Sequence, residues 1–421
     1  MQIVIRPGVF GVKLLIKPFI VALFLALCPA LWSHASELRL QVPPTGLEAR
    51  ELAIVVNQDD PVSVRIGDYY RKRRGIPDEN VIRVRFPAQS TNLPRDLFRN
   101  IKEEVDRQAG THIQAYALAW TKPYRVDCMS ITSAFALGFD EAYCSNQCSP
   151  TKASGYFNSP SHAPYSDHRL RPAMMLAGQS FQDVKRLIDR GVASDYTYPT
   201  GTGYLLDTWD KSRSVRAVLF EGTVKALGDA FRLQKLEANS IRDKKDVLFY
   251  FTGRANVPDL QTLRFLPGAI ADHLTSAGGQ LTDSGQMSSL RWLEAGATGS
   301  YGTVVEPCNH LAKFPVPAVV MWRYAEGNSL IEAYWKSVAS PGEGVFIGEP
   351  LAKPFAPRVT DLAKDQATLK VFSPDWKNLH LEAAPSAIGP YRNLEPYPVK
   401  PGLNEIKIRL PDVETFYRVA F

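Results

Sequence analysis

The chain has 421 residues, of which 45% are hydrophobic and 22% are charged, so it is long enough for one large and one small globular domain. Its formal net charge of +6 is small for this length, and no run of five basic residues occurs. Composition therefore gives no support to nucleic-acid binding, and we expect no cofactor.

The first 35 residues predict a cleaved export signal. Arg6, Lys13 and Lys17 precede the uncharged run PFIVALFLALCPALW, and Ser33 and Ala35 are small residues at the positions that a signal peptidase reads. The apolar run is shorter than the ~20 residues of a spanning helix, which favours cleavage over a retained anchor. Cleavage would lower the net charge from +6 to +3. We expect an exported protein, periplasmic or extracellular, without a stable membrane anchor.

Strand and helix signals then alternate. The run ELAIVV predicts a strand that Asn57 and the following residues end, and a helix is expected from about Ser63 to Arg73, with Ser63 as its N-cap. A strand VIRVRF, a helix from Leu93 to Gln108 and a strand IQAYALAW come next. This rhythm predicts a mostly parallel, doubly wound α/β sheet with helices on both faces.

Residues 121–172 break the rhythm and predict an insertion stapled by disulfides. Cys128, Cys144 and Cys148 lie there, and Cys308 completes an even number of cysteines after cleavage of the signal. Three connectivities are possible. Cys144 with Cys148 would close a short loop and leave Cys128 to pair with Cys308. We expect no metal site, because a second closely spaced cysteine pair and a histidine at finger spacing are both missing.

The sheet is expected to resume after the insertion. The predicted elements are a helix SFQDVKRLIDRGVAS, a strand YLLDTW, a long helix VRAVLFEGTVKALGDAFRLQKL, the strands VLFYFTG and GAIADHLTS, a helix SSLRWLEAGA, a strand GSYGTVVEPC and a helix from Asn328 to Ser337. The large α/β domain is therefore predicted over residues 36–356. Beyond Pro357, short alternating runs separated by turn residues predict a small β-sandwich over residues 357–421.

Polar residues follow several of the predicted strands. In open parallel sheets, ligands bind beyond the carboxyl ends of the strands, where loops and helix N-termini converge. The rule predicts a polar binding cleft formed by Asn57, Asp59, Lys122, Arg125, Asp210, Arg213, Arg254, Ser276 and Glu306. For each residue the alternative is an ordinary turn or cap.

Cys308 is the candidate nucleophile. A thiol needs a base or a positive environment to ionise, and His273 and His310 are the histidines that could supply it. However, His273 lies inside AIADHLTS, where alternation places it on a sheet face. In an exported chain, a structural disulfide at Cys308 is the competing interpretation.

The order of elements between Asp246 and Cys308 resembles the catalytic half of caspase-like, gingipain-type cysteine peptidases. The stretches LAIVVNQDDPVSVRIGDYYRKRRGIPDENVI, MMLAGQSFQDVKRLIDRGVASD, YLLDTWDKSRSVRA, PGAIADHLTSAGG and ATGSYGTVVEPCNHLAKFP also resemble an uncharacterised family of exported bacterial proteins. The first resemblance implies a caspase-like sheet, with a histidine after one strand and a cysteine after the next.

Those two positions hold other residues. Gly253 is followed by Arg254 instead of histidine, and Ser276 stands where the cysteine is expected. Arginine stays protonated and cannot accept a proton, so the usual dyad cannot form there. The first hypothesis is a binding or scaffolding protein whose partner is a peptide or an envelope protein. The alternative is an active thiol hydrolase using Cys308, and a third interpretation is an interaction module docking through the β-sandwich.

Overall fold

A computed structural model describes residues 40–145, 148–363, 365–410 and 415–421. The predicted export signal at residues 1–35 lies outside the described residues. The described residues belong to one compact unit. No helix in the described part of the chain combines the length and the apolar character that crossing a bilayer requires.

The described strands are β1 (Leu40–Gln41), β2 (Leu52–Asn57), β3 (Val81–Val84), β4 (Ala115–Leu118), β5 (Arg125–Val126), β6 (Met129–Ser130), β7 (Ala173–Met175), β8 (Thr202–Asp207), β9 (Arg232–Glu237), β10 (Val247–Gly253), β11 (Phe265–Leu274), β12 (Gly299–Thr303), β13 (Gly344–Gly348), β14 (Arg358–Leu362), β15 (Gln366–Ser373), β16 (Lys377–Ala384), β17 (Arg392–Val399), β18 (Gly402–Arg409) and β19 (Phe416–Ala420). The α-helices are α1 (Pro61–Arg74), α2 (Arg95–Gln108), α3 (Ile131–Leu137), α4 (Pro164–His168), α5 (Phe181–Ser194), α6 (Phe220–Leu227), α7 (Leu290–Ala295), α8 (Pro317–Ala325) and α9 (Leu330–Trp335).

Ten strands form the central sheet, in the order β3-β2-β4-β7-β13-β12-β11-β10-β8-β9. Every neighbouring pair is parallel except β12 with β13, which are antiparallel. The prediction of a mostly parallel sheet flanked by helices is confirmed. The sheet consists of two parallel halves of opposite direction: a first half from β3 to β13 and a second half from β12 to β9.

Alternating side chains of the strands enter separate cores on the two faces. In β2, Ile54 belongs to one apolar cluster and Val55 to the other; in β13, Phe346 and Ile347 divide in the same way. Helices α1, α8 and α9 contribute to the first cluster, and α2, α3 and α7 to the second. Burial on both faces explains why these strands are almost continuously apolar in sequence.

Helix α1 begins two residues before the predicted N-cap. Asp60 caps it, because its side chain accepts a hydrogen bond from the N–H of Val62 at 2.9 Å, and Pro61 occupies the first turn. The hydroxyl of Ser63 instead accepts from the N–H of Asn57 at 2.9 Å. The prediction of Ser63 as N-cap is therefore wrong.

The long helix predicted through Leu236 is also wrong. A 3₁₀ turn and α6 occupy its first part, and β9 replaces its end as the edge strand beside β8. Leu233 and Leu236 have a spacing that suits a helix. Pairing with the whole length of β8 satisfies the backbone of β9 and decides the outcome in favour of a strand.

The C-terminal region contains two small antiparallel sheets, β14-β15-β18 and β16-β17 with β19. Leu369, Leu381, Ile408 and Val419 are among the residues of one shared apolar cluster. Strand β1 pairs in parallel with β19, so the start of the described chain lies beside its end. The region is joined to the α/β part by apolar contacts as well, since the ring of Phe372 in β15 stacks on that of Phe231 at 5.0 Å.

Candidate functional site at the carboxyl edge of the second half-sheet

The reversal between β12 and β13 separates the strand ends of the two halves. The carboxyl ends of β2, β3, β4 and β7 lie at one edge of the sheet, and those of β8, β10, β11 and β12 lie at the opposite edge. Loops at the carboxyl ends of parallel strands are the usual place for a ligand site. The nine residues predicted to share one cleft are thus divided between two edges.

A cavity of about 270 Å³ lies at the carboxyl edge of the second half. It is formed by the loops that follow β8, β11 and β12. Its lining residues are Ser212, Arg213, Leu274, Thr275, Ser276, Glu306, Pro307, Cys308 and Asn309. Of the predicted cleft residues, Arg213, Ser276 and Glu306 come together here, and Cys308 lies with them. We call this cavity the β11–β12 cleft.

Two hydrogen bonds orient Arg213 in the cleft. Its Nε donates to Oγ1 of Thr275 at 3.1 Å, and its Nη1 donates to Oδ2 of Asp210 at 3.0 Å. The loop passes close to β10 because residue 253 is glycine: a Cβ there would lie 1.9 Å from the carbonyl oxygen of Arg213. Asp210 does not line the cleft, but its hydrogen bond to Arg213 helps to position the guanidinium there.

The loop that carries Ser276 is held by its neighbours. Oε1 of Gln286 accepts from Oγ1 of Thr275 at 2.7 Å and from the N–H of Ala277 at 2.9 Å. From the end of β12, Oγ1 of Thr303 donates to the carbonyls of Thr275 and Ser276, each at 3.1 Å. Within the residues that the structure describes, the hydroxyl of Ser276 has no hydrogen-bonded base. A serine nucleophile needs such a base to be activated.

Residues 306–309 form one wall of the cleft, and a disulfide fixes it. The N–H of Cys308 donates to Oε1 of Glu306 at 2.8 Å, and Cys308 has a left-handed φ of 47°. Its sulfur is bonded to Cys148, whose carbonyl accepts from Nε2 of His310 at 2.5 Å. A disulfide sulfur cannot ionise, so Cys308 is not a thiolate nucleophile in this state.

The disulfide pairing differs from the one that short-loop spacing favours. Cys128 pairs with Cys144 and Cys148 pairs with Cys308, with Cα separations of 5.6 and 5.5 Å. Of the three connectivities that the sequence leaves open, the structure therefore has this one, and the short Cys144–Cys148 loop does not form. The sulfur of Met129, next to Cys128, accepts from the N–H of Asp140 at 3.4 Å, so folding brings the chain around Cys144 back to Cys128.

His273 lies inside β11 and is buried. Its Nδ1 accepts from the indole N–H of Trp292 at 2.9 Å, and its Nε2 donates to the carbonyl of Met287 at 3.1 Å. Burial is the main cause that lowers the pKa of His273 to about 3. Both ring nitrogens are engaged away from the cleft, so this imidazole is a neutral structural group.

Arg254 follows β10 but is absent from the lining of the cleft. Its Nη1 donates to the carbonyl of Asn239 at 3.3 Å, in the loop after β9. The side chain thus joins two loops at the same edge of the sheet. Its partner loop follows β9, whereas Ser276, with which the peptidase resemblance pairs Arg254, is in the loop after β11.

The remaining predicted residues belong to the first half of the sheet. Asn57 is buried, and its side chain bonds to both the N–H and the carbonyl of Phe86, at 3.2 and 2.9 Å. Asp59 forms an exposed ion pair with Arg85. Lys122 and Arg125 follow β4, and the carbonyl of Arg125 accepts from the N–H of Leu93 at 2.9 Å. These contacts connect neighbouring loops.

A buried ion pair under the cleft was not predicted. Arg216 and Asp272 are each 1% exposed, and Nη1 of Arg216 lies 2.5 Å from Oδ1 of Asp272. Arg216 also donates to the carbonyls of Thr252 at 3.0 Å, Asp272 at 3.4 Å and Pro315 at 3.3 Å. Burial raises the pKa of Asp272, and the guanidinium opposes that rise. The pair ties the ends of β10 and β11, and an aspartate inside the apolar run AIADHL was its signal.

A second buried pair lies under the wall formed by residues 306–309. Nζ of Lys313 lies 3.0 Å from Oε2 of Glu343, and both side chains are 1% exposed. Oε1 of Glu343 accepts from the N–H of Ser145 at 2.9 Å. These contacts join the wall to the insertion independently of the disulfide.

Among the described residues, no group of three His, Cys, Asp or Glu side chains is placed to hold a metal ion. Comparison of the chain with models of protein families, with curated proteins and with solved structures finds no match.

Proposed function

We propose that this chain is an exported binding protein that holds a peptide segment in the β11–β12 cleft. In this proposal the large part is a caspase-like scaffold whose peptidase dyad has been replaced, and the C-terminal sheets form an appended β-sandwich. The compartment is the periplasm or the exterior of the cell.

One observation carries the proposal: the polar cleft presents charge without a catalytic pair. Arg213 and Ser276 line it, Cys308 is in a disulfide, and His273 is buried behind Trp292. A thiol hydrolase needs an imidazole within reach of a free thiolate. Binding requires only the charged and polar groups that the cleft contains.

The charges of the cleft suit a peptide. Nη2 of Arg213 and Oε2 of Glu306 have no hydrogen-bond partner within the described residues, so a donor nitrogen and an acceptor oxygen remain for a ligand. A peptide backbone offers a carbonyl to the guanidinium and an N–H to the carboxylate. The cavity of about 270 Å³ is slightly smaller than typical ligand pockets, which span roughly 300–1,000 Å³. It accommodates a short segment, with the rest of the peptide outside.

The experiment is an array of random short peptides probed with the purified, oxidised protein, followed by solution affinities for the peptides that bind. We expect Arg213→Gln and Glu306→Gln each to weaken binding about tenfold or more, because a hydrogen bond to a charged group contributes roughly 1.5–3 kcal/mol. The matched control is Arg85→Gln, which breaks an exposed ion pair at the opposite edge of the sheet. It should leave the affinity unchanged.

Two results would contradict the proposal. Peptides that bind equally well to wild type and to both cleft variants would place the binding site elsewhere. Cleavage of the peptides by reduced protein, abolished by alkylation of Cys308, would instead favour the alternative of a thiol hydrolase.

A further inference from the structure

The Cys148–Cys308 disulfide joins an exposed residue to the wall of the β11–β12 cleft. Cys148 is exposed, and Cys308 is half-buried in the wall of the β11–β12 cleft. A thiolate attacks a disulfide at a sulfur that it can reach, so exposure favours reaction at Cys148. Accessible disulfides are the ones that undergo exchange, while buried ones resist it.

The other disulfide supplies an internal comparison. Cys128 and Cys144 are both half-buried, and Cys144 packs against the apolar cluster on the α2 and α3 face of the sheet. The two bonds belong to the same chain and are separated by the short segment between Cys144 and Cys148. Both disulfides experience the same solution conditions, so a difference in their rates of reaction reflects the local environment of each bond.

The cleft also favours Cys308 as the leaving thiolate when a thiol attacks the disulfide at Cys148. Arg213 lines the same cavity as Cys308, and a nearby cation stabilises a thiolate. Glu306 lines the cavity too and opposes this effect, although its Oε1 is engaged by the N–H of Cys308. Nε2 of His310 donates a hydrogen bond to the carbonyl of Cys148, which holds Cys148 beside the wall of the cleft.

We infer that Cys148–Cys308 is a thiol-exchange site, at which a small external thiol attacks Cys148 and releases the thiolate of Cys308 into the cleft. The new bond joins the sulfur of the external thiol to Sγ of Cys148. The Sγ–Sγ bond breaks, and its electron pair leaves with Cys308. The proton of the external thiol goes to solvent, and a second thiol that attacks the mixed disulfide completes reduction.

This inference goes beyond peptide binding and does not depend on it. The oxidised and reduced forms differ at the wall of the cleft, since reduction removes the covalent link between residues 306–309 and the insertion. The Lys313–Glu343 pair still joins the two segments after reduction, so the wall remains attached.

The experiment treats the folded, oxidised protein with glutathione, stops the reaction with acid and locates the adducts by peptide mass mapping. We expect glutathione on Cys148 at a rate at least about tenfold above that on Cys128 or Cys144, with a free thiol at Cys308. In Arg213→Gln, formation of the adduct should slow by roughly threefold or more, because the leaving thiolate loses its cation. Arg85→Gln should behave as wild type.

The inference is overturned if the two disulfides react at similar rates, if the adduct forms on Cys308, or if neither reacts until the protein is unfolded. The comparison of the two disulfides uses wild-type protein alone, so a folding defect in Arg213→Gln does not affect it. If the wild-type protein binds no peptide but glutathione still reacts at Cys148, the proposed function is contradicted and the inference of a thiol-exchange site is still supported.

Discussion

Replacement of His273 by glutamine tests whether the histidine of β11 is a neutral structural group. The ring is 1% exposed, accepts from Trp292 and donates to the carbonyl of Met287. Glutamine also carries an acceptor, its amide oxygen, and a donor group, its NH2, but it does not titrate. The substitution therefore removes the proton equilibrium while it keeps a polar group at the position.

The effect of pH follows from the difference between the folded and unfolded pKa values. Burial lowers the pKa of His273 to about 3 in the folded protein, from 6.5 when exposed. Between these values the unfolded chain binds a proton that the folded protein does not, so stability falls as pH falls from 6.5 towards 3. At pH 5 the loss from this group is about 2 kcal/mol relative to pH 7.

The assay is urea unfolding of wild type and His273→Gln at pH 7 and pH 5, with both disulfides intact. At pH 7 the variant should be less stable, since glutamine does not fill the space of an imidazole. The difference between the free energies of unfolding of the two proteins should be about 2 kcal/mol smaller at pH 5 than at pH 7. A separation equal at both pH values would show that His273 titrates normally, and its assignment as a buried neutral group would be wrong.

Two further predictions concern the support of the cleft, and urea unfolding checks both. Arg216→Met leaves Asp272 buried without its cation and should lower the free energy of unfolding by roughly 3–5 kcal/mol. The double variant Arg216→Met with Asp272→Leu should recover most of that loss, and a double variant as unstable as Arg216→Met would contradict the ion-pair interpretation. Gly253→Ala should destabilise by about 1–3 kcal/mol, because its Cβ would meet the backbone of Arg213. The control Gly222→Ala, in α6 with open space around its Cβ, should instead stabilise by about 0.5–1 kcal/mol, and a loss as large as that of Gly253→Ala would refute the role of close approach.

Local pattern predicted most of the central sheet correctly. The apolar runs at β2, β10 and β11 are strands, and the amphipathic stretch at α5 is a helix, because these elements bury apolar side chains with a period that can be read locally. The pattern failed at β9, whose leucines have helical spacing but whose backbone pairs with β8. Short-range periodicity contains no information about a partner strand.

The cleft was predicted in part, for a related reason. Arg213, Ser276 and Glu306 follow strands of the same half of the sheet and line one cavity, while Asn57 and Asp59 follow β2 at the opposite edge. The rule about strand ends applies only to strands that run in the same direction. Nothing in the apolar sequence of β13 indicates that it runs antiparallel to β12.

The amino-acid sequence by itself determined where most strands and helices form, and it placed an arginine and a serine after β10 and β11. Only the tertiary structure decided the reversal of direction within the sheet, the Cys148–Cys308 bond in the wall of the cleft, and the burial of His273. The physical reason is that hydrophobic periodicity and turn residues act over a few neighbouring positions. Strand direction, disulfide pairing and desolvation depend on groups that meet only when distant parts of the chain pack together.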